Sequence, residues 1–148
     1  MKAAVCLSLA VALGIAVSAR AEDAKKFDAK KLEGKWTYVS GKKAGEDSAK
    51  EALMGTVEIT KDKLIIPGPE GKPMNISYKL DDKETPVKID MEILDGMFKG
   101  GKAEGLIELK GDELKLSYAM IMGDTKRPAK LESTKDNGAF YFVLKRMK

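Results

Sequence analysis

Apolar side chains recur at every second position through most of the chain. Trp36 and Tyr38 alternate with Thr37 and Val39, and Val57 and Ile59 are flanked by Thr56, Glu58 and Thr60. Met74, Ile76, Tyr78 and Leu80 share one phase. Val87, Ile89, Met91 and Ile93 do the same, opposite Lys88, Asp90 and Glu92. Leu114, Leu116, Tyr118 and Met120 repeat the pattern, as do Phe140, Phe142 and Leu144. This alternation marks strands with one face in a core and one in water, the pattern of an antiparallel sheet. Together with the short apolar runs at 64–66 and 106–109, it predicts about eight strands.

The intervening residues agree. Pro67-Gly68-Pro69-Glu70-Gly71-Lys72-Pro73 cannot continue a central strand and reads as a turn. Lys110-Gly111-Asp112-Glu113 predicts a tight hairpin, and Asp136-Asn137-Gly138 precedes the last strand. The one helical candidate inside this region, residues 47–54, is too short to stand alone. Without a long crossover helix a parallel sheet is excluded. The expectation is an all-β sandwich or barrel.

The first 21 residues have a different character. Lys2 is followed by an apolar run from Ala3 to Val17, and Ala19-Arg20-Ala21 has the small-x-small form of a signal-peptidase site. The run is short for a membrane span, which needs ~20 residues, and Cys6 lies too far upstream for a lipid attachment at the cleavage point. Residues 1–21 therefore read as a signal peptide, 22–31 as a polar lead-in with short helical character, and 32–148 as the β domain. The expected location is periplasmic or extracellular, without stable membrane insertion after cleavage.

Cleavage changes the charge and the chemistry. Losing Lys2 and Arg20 takes 27 basic residues to 25, against 23 acidic ones, a net charge of +2. Basic and acidic residues are interspersed, so no nucleic-acid partner is expected. The mature chain has neither Cys nor His. Ser–His and Cys–His catalysis are thereby excluded, and a tight zinc site with them. About 127 residues must be held by their core alone.

Gly34-Lys35-Trp36 at the head of the first strand resembles the G-x-W signature of lipocalin-type barrels. More widely, the chain is similar to an uncharacterised lipocalin-like domain family abundant in planctomycete bacteria, many of them small exported proteins. The matching pieces are Leu32-Glu33-Gly34-Lys35-Trp36, Tyr78-Lys79-Leu80-Asp81, Pro86-Val87-Lys88-Ile89-Asp90, Gly105 with Ile107, Gly111-Asp112-Glu113-Leu114-Lys115-Leu116-Ser117, Arg127-Pro128 and Leu144-Lys145-Arg146. They stand in order and span residues 32–146. Ile107, Ser117 and Leu131 depart from the aromatic, Cys and Phe the family tends to carry. The resemblance implies a small meander barrel of about eight strands in which Trp36 lies across the closed end and Arg146 stacks on it. It implies no activity.

Few residues offer chemistry. Asp90 and Glu92 share one strand face about 7 Å apart at the backbone, as in any alternating strand, and read as a solvated outer surface rather than an acid–base pair. Asp90 is instead expected to pair with Arg127 and tie the irregular segment beyond it to the wall. Asp81-Asp82 and Gly111-Asp112-Glu113 lack the spaced oxygen ligands of a calcium loop, so no metal or cofactor is expected. Met91, Met97, Met120 and Met122 read as core, with an adaptable pocket lining as the alternative.

Two function classes stay open, with an enzyme ranked below both. One is a binding module whose barrel encloses a small apolar ligand, faced by Tyr78, Met91, Leu116, Tyr118 and Phe142. The other is a filled barrel acting through its surface, such as an inhibitor or envelope component. A cavity of ~300 Å³ or more separates them. N-terminal sequencing of exported protein is expected to begin at Glu22; a chain retaining residues 1–21 in the membrane fraction contradicts the cleavage site.

Overall fold

The computed structural model describes residues 26–148. The expected signal peptide, residues 1–21, and the start of the lead-in lie outside the described residues. Nine strands follow: β1 (Gly34–Lys43), β2 (Glu46–Asp47), β3 (Thr56–Ile59), β4 (Lys63–Pro67), β5 (Pro73–Asp81), β6 (Val87–Ile93), β7 (Lys102–Lys110), β8 (Glu113–Met120) and β9 (Phe140–Arg146). β2 is a two-residue flap hairpinned onto the end of β1 through Lys42↔Asp47. The other eight pair antiparallel with their sequence neighbours, and β9 returns to β1. The result is a closed eight-strand meander barrel in which every strand of the ring is paired on both sides over at least part of its length.

β1 closes the ring by serving two neighbours at different heights. Gly34 to Thr37 pair with β3, while Trp36 to Lys43 pair with β9. The register slips between Tyr38 and Ser40. This bulge pushes Val39 outward and lets β1 bend away from β3. Residues 44–55 occupy that side of the barrel. They hold β2 and, within the helical candidate at 47–54, only one 3-10 turn at Lys50–Leu53, in keeping with a segment too short to form a stable helix. The lead-in behaves likewise, since its described part forms a single 3-10 turn at Ala29–Leu32.

The two ends of the barrel differ. At the end where β1 starts, the connections are tight, as in the two-residue turn Gly111-Asp112 between β7 and β8. The lead-in crosses beneath it, with Leu32 buried and Phe27 packed on the core. Trp36 is fully enclosed there, and its Nε1–H donates to the Leu32 carbonyl at 2.8 Å. The Arg146 guanidinium lies over the indole, 4.4 Å from the ring centroid. It also donates to the carbonyls of Glu33, at 3.0 Å, and of Lys31, and meets Asp112 at 3.5 Å. Gly34 makes this possible: its φ is +134°, and a Cβ there would sit 3.0 Å from the guanidinium. The expected Trp36–Arg146 contact is therefore present, with a fuller set of partners than the stack alone.

The wall is apolar inside and polar outside, the reverse of a membrane barrel. Glu58, Lys79, Asp90 and Glu92 are exposed, while Val57, Tyr78, Val87, Ile89 and Met91 are buried. One stretch of outer wall departs from this. Leu106, Ser117 and Ala119 point outward yet are 5% exposed or less. The connection from β8 to β9, residues 121–139, covers them as a strap. Ser117 Oγ donates to the Glu132 carbonyl at 3.0 Å, and Pro128 is buried. Arg127 fixes the strap to the wall through Asp90 on β6 and Glu104 on β7, the latter at 3.4 Å. The expected Asp90–Arg127 pair is thus observed, half in solvent and worth about 0–1 kcal/mol.

Replacing Trp36 by Ala is expected to destabilise the fold by about 3–5 kcal/mol. Arg146→Ala is expected to cost about 1–2 kcal/mol, through the lost stack and hydrogen bonds. A double-mutant cycle measured in urea checks the contact: the two losses should fall short of additivity by at least ~0.5 kcal/mol.

Candidate functional site

The interior between Trp36 and the opposite end is not filled. A cavity of about 280 Å³ runs up the barrel axis. Its floor is built from Val57, Ile107, Leu114 and Leu144, members of the same buried cluster as Trp36. Its rim is Met74, Ile93, Phe98, Met120 and Phe140, at the far ends of their strands. Strand alternation produces this lining, since every second residue of each strand faces the axis. Several of these inward residues, among them Ile66, Ile76, Leu116, Tyr118 and Phe142, are only half-buried because they face open space rather than a neighbour.

Close approach of two strands shapes the wall. Gly105 on β7 faces inward opposite Tyr118, and a Cβ there would lie 2.7 Å from the Tyr118 Cβ and 2.2 Å from the Ser117 carbonyl oxygen. The missing side chain is what lets Tyr118 lean over β7. Beside it the aromatic rings gather. Tyr118 stacks on Phe140 at 5.0 Å between centroids, and Tyr38 tilts against Phe142 at 5.3 Å. Such pairs add about 0.5–1.5 kcal/mol each beyond burial.

Four of the five residues expected to face the interior do so: Met91, Leu116, Tyr118 and Phe142. Tyr78 does not line the cavity. It is packed in the buried cluster, and its hydroxyl donates to the Thr60 carbonyl at 2.6 Å, which fixes the ring away from the open space. The methionines divide. Met91 and Met120 line the cavity, whereas Met97 and Met122 are neither core nor lining but stand 89% and 73% exposed on loops at the mouth. Met54 and Phe98 are exposed on the same side. Tyr38 and Phe98 also line the cavity, though neither was among the residues expected to face it. Tyr38 shares the phase of Trp36, which is a usable signal, whereas Phe98 sits on the β6–β7 loop, where no phase exists.

That loop is clamped at its base. The Asp95 carboxylate accepts from the Asn75 backbone N–H at 3.0 Å and from its Nδ2 at 2.6 Å, and these bonds hold the Asp95 carboxyl below its ordinary range. Outside the barrel, a shallow groove of about 460 Å³ runs past Lys79, Asp90, Glu92, Lys102 and Glu104. It is larger but charged and open along its length, with Asp90 already engaged by Arg127. Among the described residues no three Asp, Glu, Cys or His side chains are grouped to hold a metal ion. No protein-family model, curated protein or solved structure matches this chain, so a functional reading rests on the barrel itself.

Burial governs the phenols of the site. It pushes Tyr38 from 10.0 up to about 12, and it raises Tyr118 as well, with a smaller contribution from Tyr38. Burial likewise raises Tyr78, helped by Glu33 and Asp62. A folded pKa above the unfolded one favours the fold below the unfolded value and withdraws that support as pH rises through the folded value. Urea midpoints are therefore expected to be insensitive to these phenols until pH passes about 10.0 and to fall toward 12, in step with phenolate absorbance. Tyr38→Phe should remove one late-ionising phenol from that titration.

Proposed function

We propose that the chain is an exported lipocalin-like protein that binds a small apolar molecule inside its barrel. The observation that carries this reading is the continuous apolar cavity of about 280 Å³, just below the ~300–1,000 Å³ typical of ligand sites and far larger than a packing void. Protein interiors normally pack to the density of organic crystals. A chain this short has little apolar surface to leave unused, yet Ile66, Ile76, Leu116 and Phe142 all face open space. Dispersion contacts missing on that side are restored when a ligand fills it. The signal-like first 21 residues support export. The reading contains no catalytic step and needs no cofactor.

Native mass spectrometry of protein purified from its own host tests this. An adduct that survives gentle desolvation and disappears on denaturation is the expected result. Leu116→Trp fills the cavity from its wall. It is expected to abolish the adduct while costing under ~1 kcal/mol in stability, because the larger ring enters open space instead of overpacking a core at ~1–3 kcal/mol. A wild-type barrel that is always empty, or an adduct indifferent to Leu116→Trp, contradicts the proposal.

A further inference from the structure

The cavity is nearly devoid of polarity, which gives weight to its two exceptions. Among the described residues no charged side chain lines it, and the only lining residues whose side chains carry oxygen are Tyr38 and Tyr118. They come from β1 and β8, the two strands that flank β9, and their rings stand on either side of Phe142 at 5.3 and 6.2 Å. Elsewhere the fold satisfies a buried phenol internally, as Tyr78 shows by donating to the Thr60 carbonyl. For Tyr38 and Tyr118 burial acts with no offsetting hydrogen bond from any described residue. Nor are these hydroxyls walled in by packed atoms: among the described residues, Arg127 Nε is the one fully enclosed side-chain polar atom without a partner. Phenylalanine at either position would supply the same ring packing. Two unpaired hydroxyls in an apolar chamber are costly to keep unless something in that chamber uses them.

We propose that the hydroxyls of Tyr38 and Tyr118 each offer a donor by which a neutral oxygen acceptor is anchored, so that the barrel selects apolar molecules bearing a carbonyl, ester or hydroxyl group over plain hydrocarbons and over carboxylates. This rests on the reading of the barrel as a binding site and specifies its ligand class. A carbonyl oxygen can accept from either phenol. A carboxylate would enter without a cation to meet it. Lys43 lies over the Phe140 ring at 5.1 Å but is not among the lining residues. Because burial raises both phenols, they remain protonated donors through the neutral range. Size narrows the class further. An apolar cavity of ~150 Å³ accepts benzene, so this one takes on the order of a dozen non-hydrogen atoms.

The test uses three probes of nearly equal shape: ethylnaphthalene, acetylnaphthalene and naphthoate, measured by equilibrium dialysis against the chain from residue 22 onward. The ketone is expected to bind about tenfold tighter than the hydrocarbon and than the carboxylate. In the Tyr38→Phe, Tyr118→Phe double variant, checked for unchanged circular dichroism, ketone and hydrocarbon should converge to within about twofold, with the hydrocarbon no weaker than before. The wild-type comparison stands on its own even where the variant fails to fold. Equal binding of ketone and hydrocarbon to the wild type overturns the anchor and leaves the cavity reading intact. A ketone preference that survives the double substitution also overturns it, and naphthoate binding as tightly as the ketone overturns the neutral class. Failure of all three probes to bind removes the binding reading and the anchor with it.

Discussion

Everything in this molecule depends on the seam between its first and last strands. An antiparallel sheet of eight strands left open would have two bare edges and no interior. Arg146 sits where the seam ends and serves several partners at once: the Trp36 face, the carbonyls of Lys31 and Glu33, and the Asp112 carboxylate. A planar guanidinium can do this because its donors point outward in its own plane while its face remains free to stack. An ammonium has no such face. The lead-in, β1, the β7–β8 turn and β9 are brought to one point by a single side chain. Trp36 in turn spends its one N–H on Leu32, so the plug beneath the barrel and the seam above it are the same construction.

Such a seal explains how an interior can be left partly empty. The largest fully buried side chains are Trp36, Leu32, Ile89, Ile107 and Leu114, with Ser117 on the outer face. Trp36 and Leu32 belong to the sealed end itself. Toward the mouth many inward residues, such as Met74, Ile76, Met120 and Phe140, are less fully covered than Trp36 and Leu32, and at the loops Met54, Met97 and Phe98 are exposed outright. The packing that holds the barrel is thus concentrated below, and the upper walls are positioned by strand pairing more than by contact across the axis. Gly105 adds to this, since removing one side chain from the wall gives Tyr118 its place without enlarging the ring.

Much of the architecture was legible because alternation is a direct record of which face a residue takes. Val87 to Ile93 read as a two-faced strand and is buried and exposed in strict turn. Arg146 could be matched to Trp36 because it continues the inward phase of Phe140, Phe142 and Leu144. Tyr78 was misplaced for the same reason that it was found: phase gives the face but not the height along the barrel axis, and its bond to Thr60 lies below the open space. The bulge at Val39 left no mark in the sequence, because an extra residue in a strand looks like any other residue until its partner strand is known. The strap was visible only as a segment without a pattern. Arg127 and Asp90 hinted at its attachment, but the burial of Leu106 and Ala119 beneath it could not be read from strands that seemed to face water.

The strap also sets a gradient in how readily the parts of the barrel come undone. β8 is bonded on both edges, to β7 and β9, and its outer face is roofed near Ser117 and Ala119. Its amides meet solvent only when roof and ladder open together, so their hydrogen exchange tracks global unfolding. Two strands round the ring, the upper half of β1 has a ladder to β9 but none to β3, and its other side is bonded by Ser48 at Gly41 and by the two residues of β2. Small openings cost least there. The wall therefore opens most readily beside residues 38–40 of β1, which lack a partner on that side among the described residues, while β8 stays shut on the timescale of the whole fold.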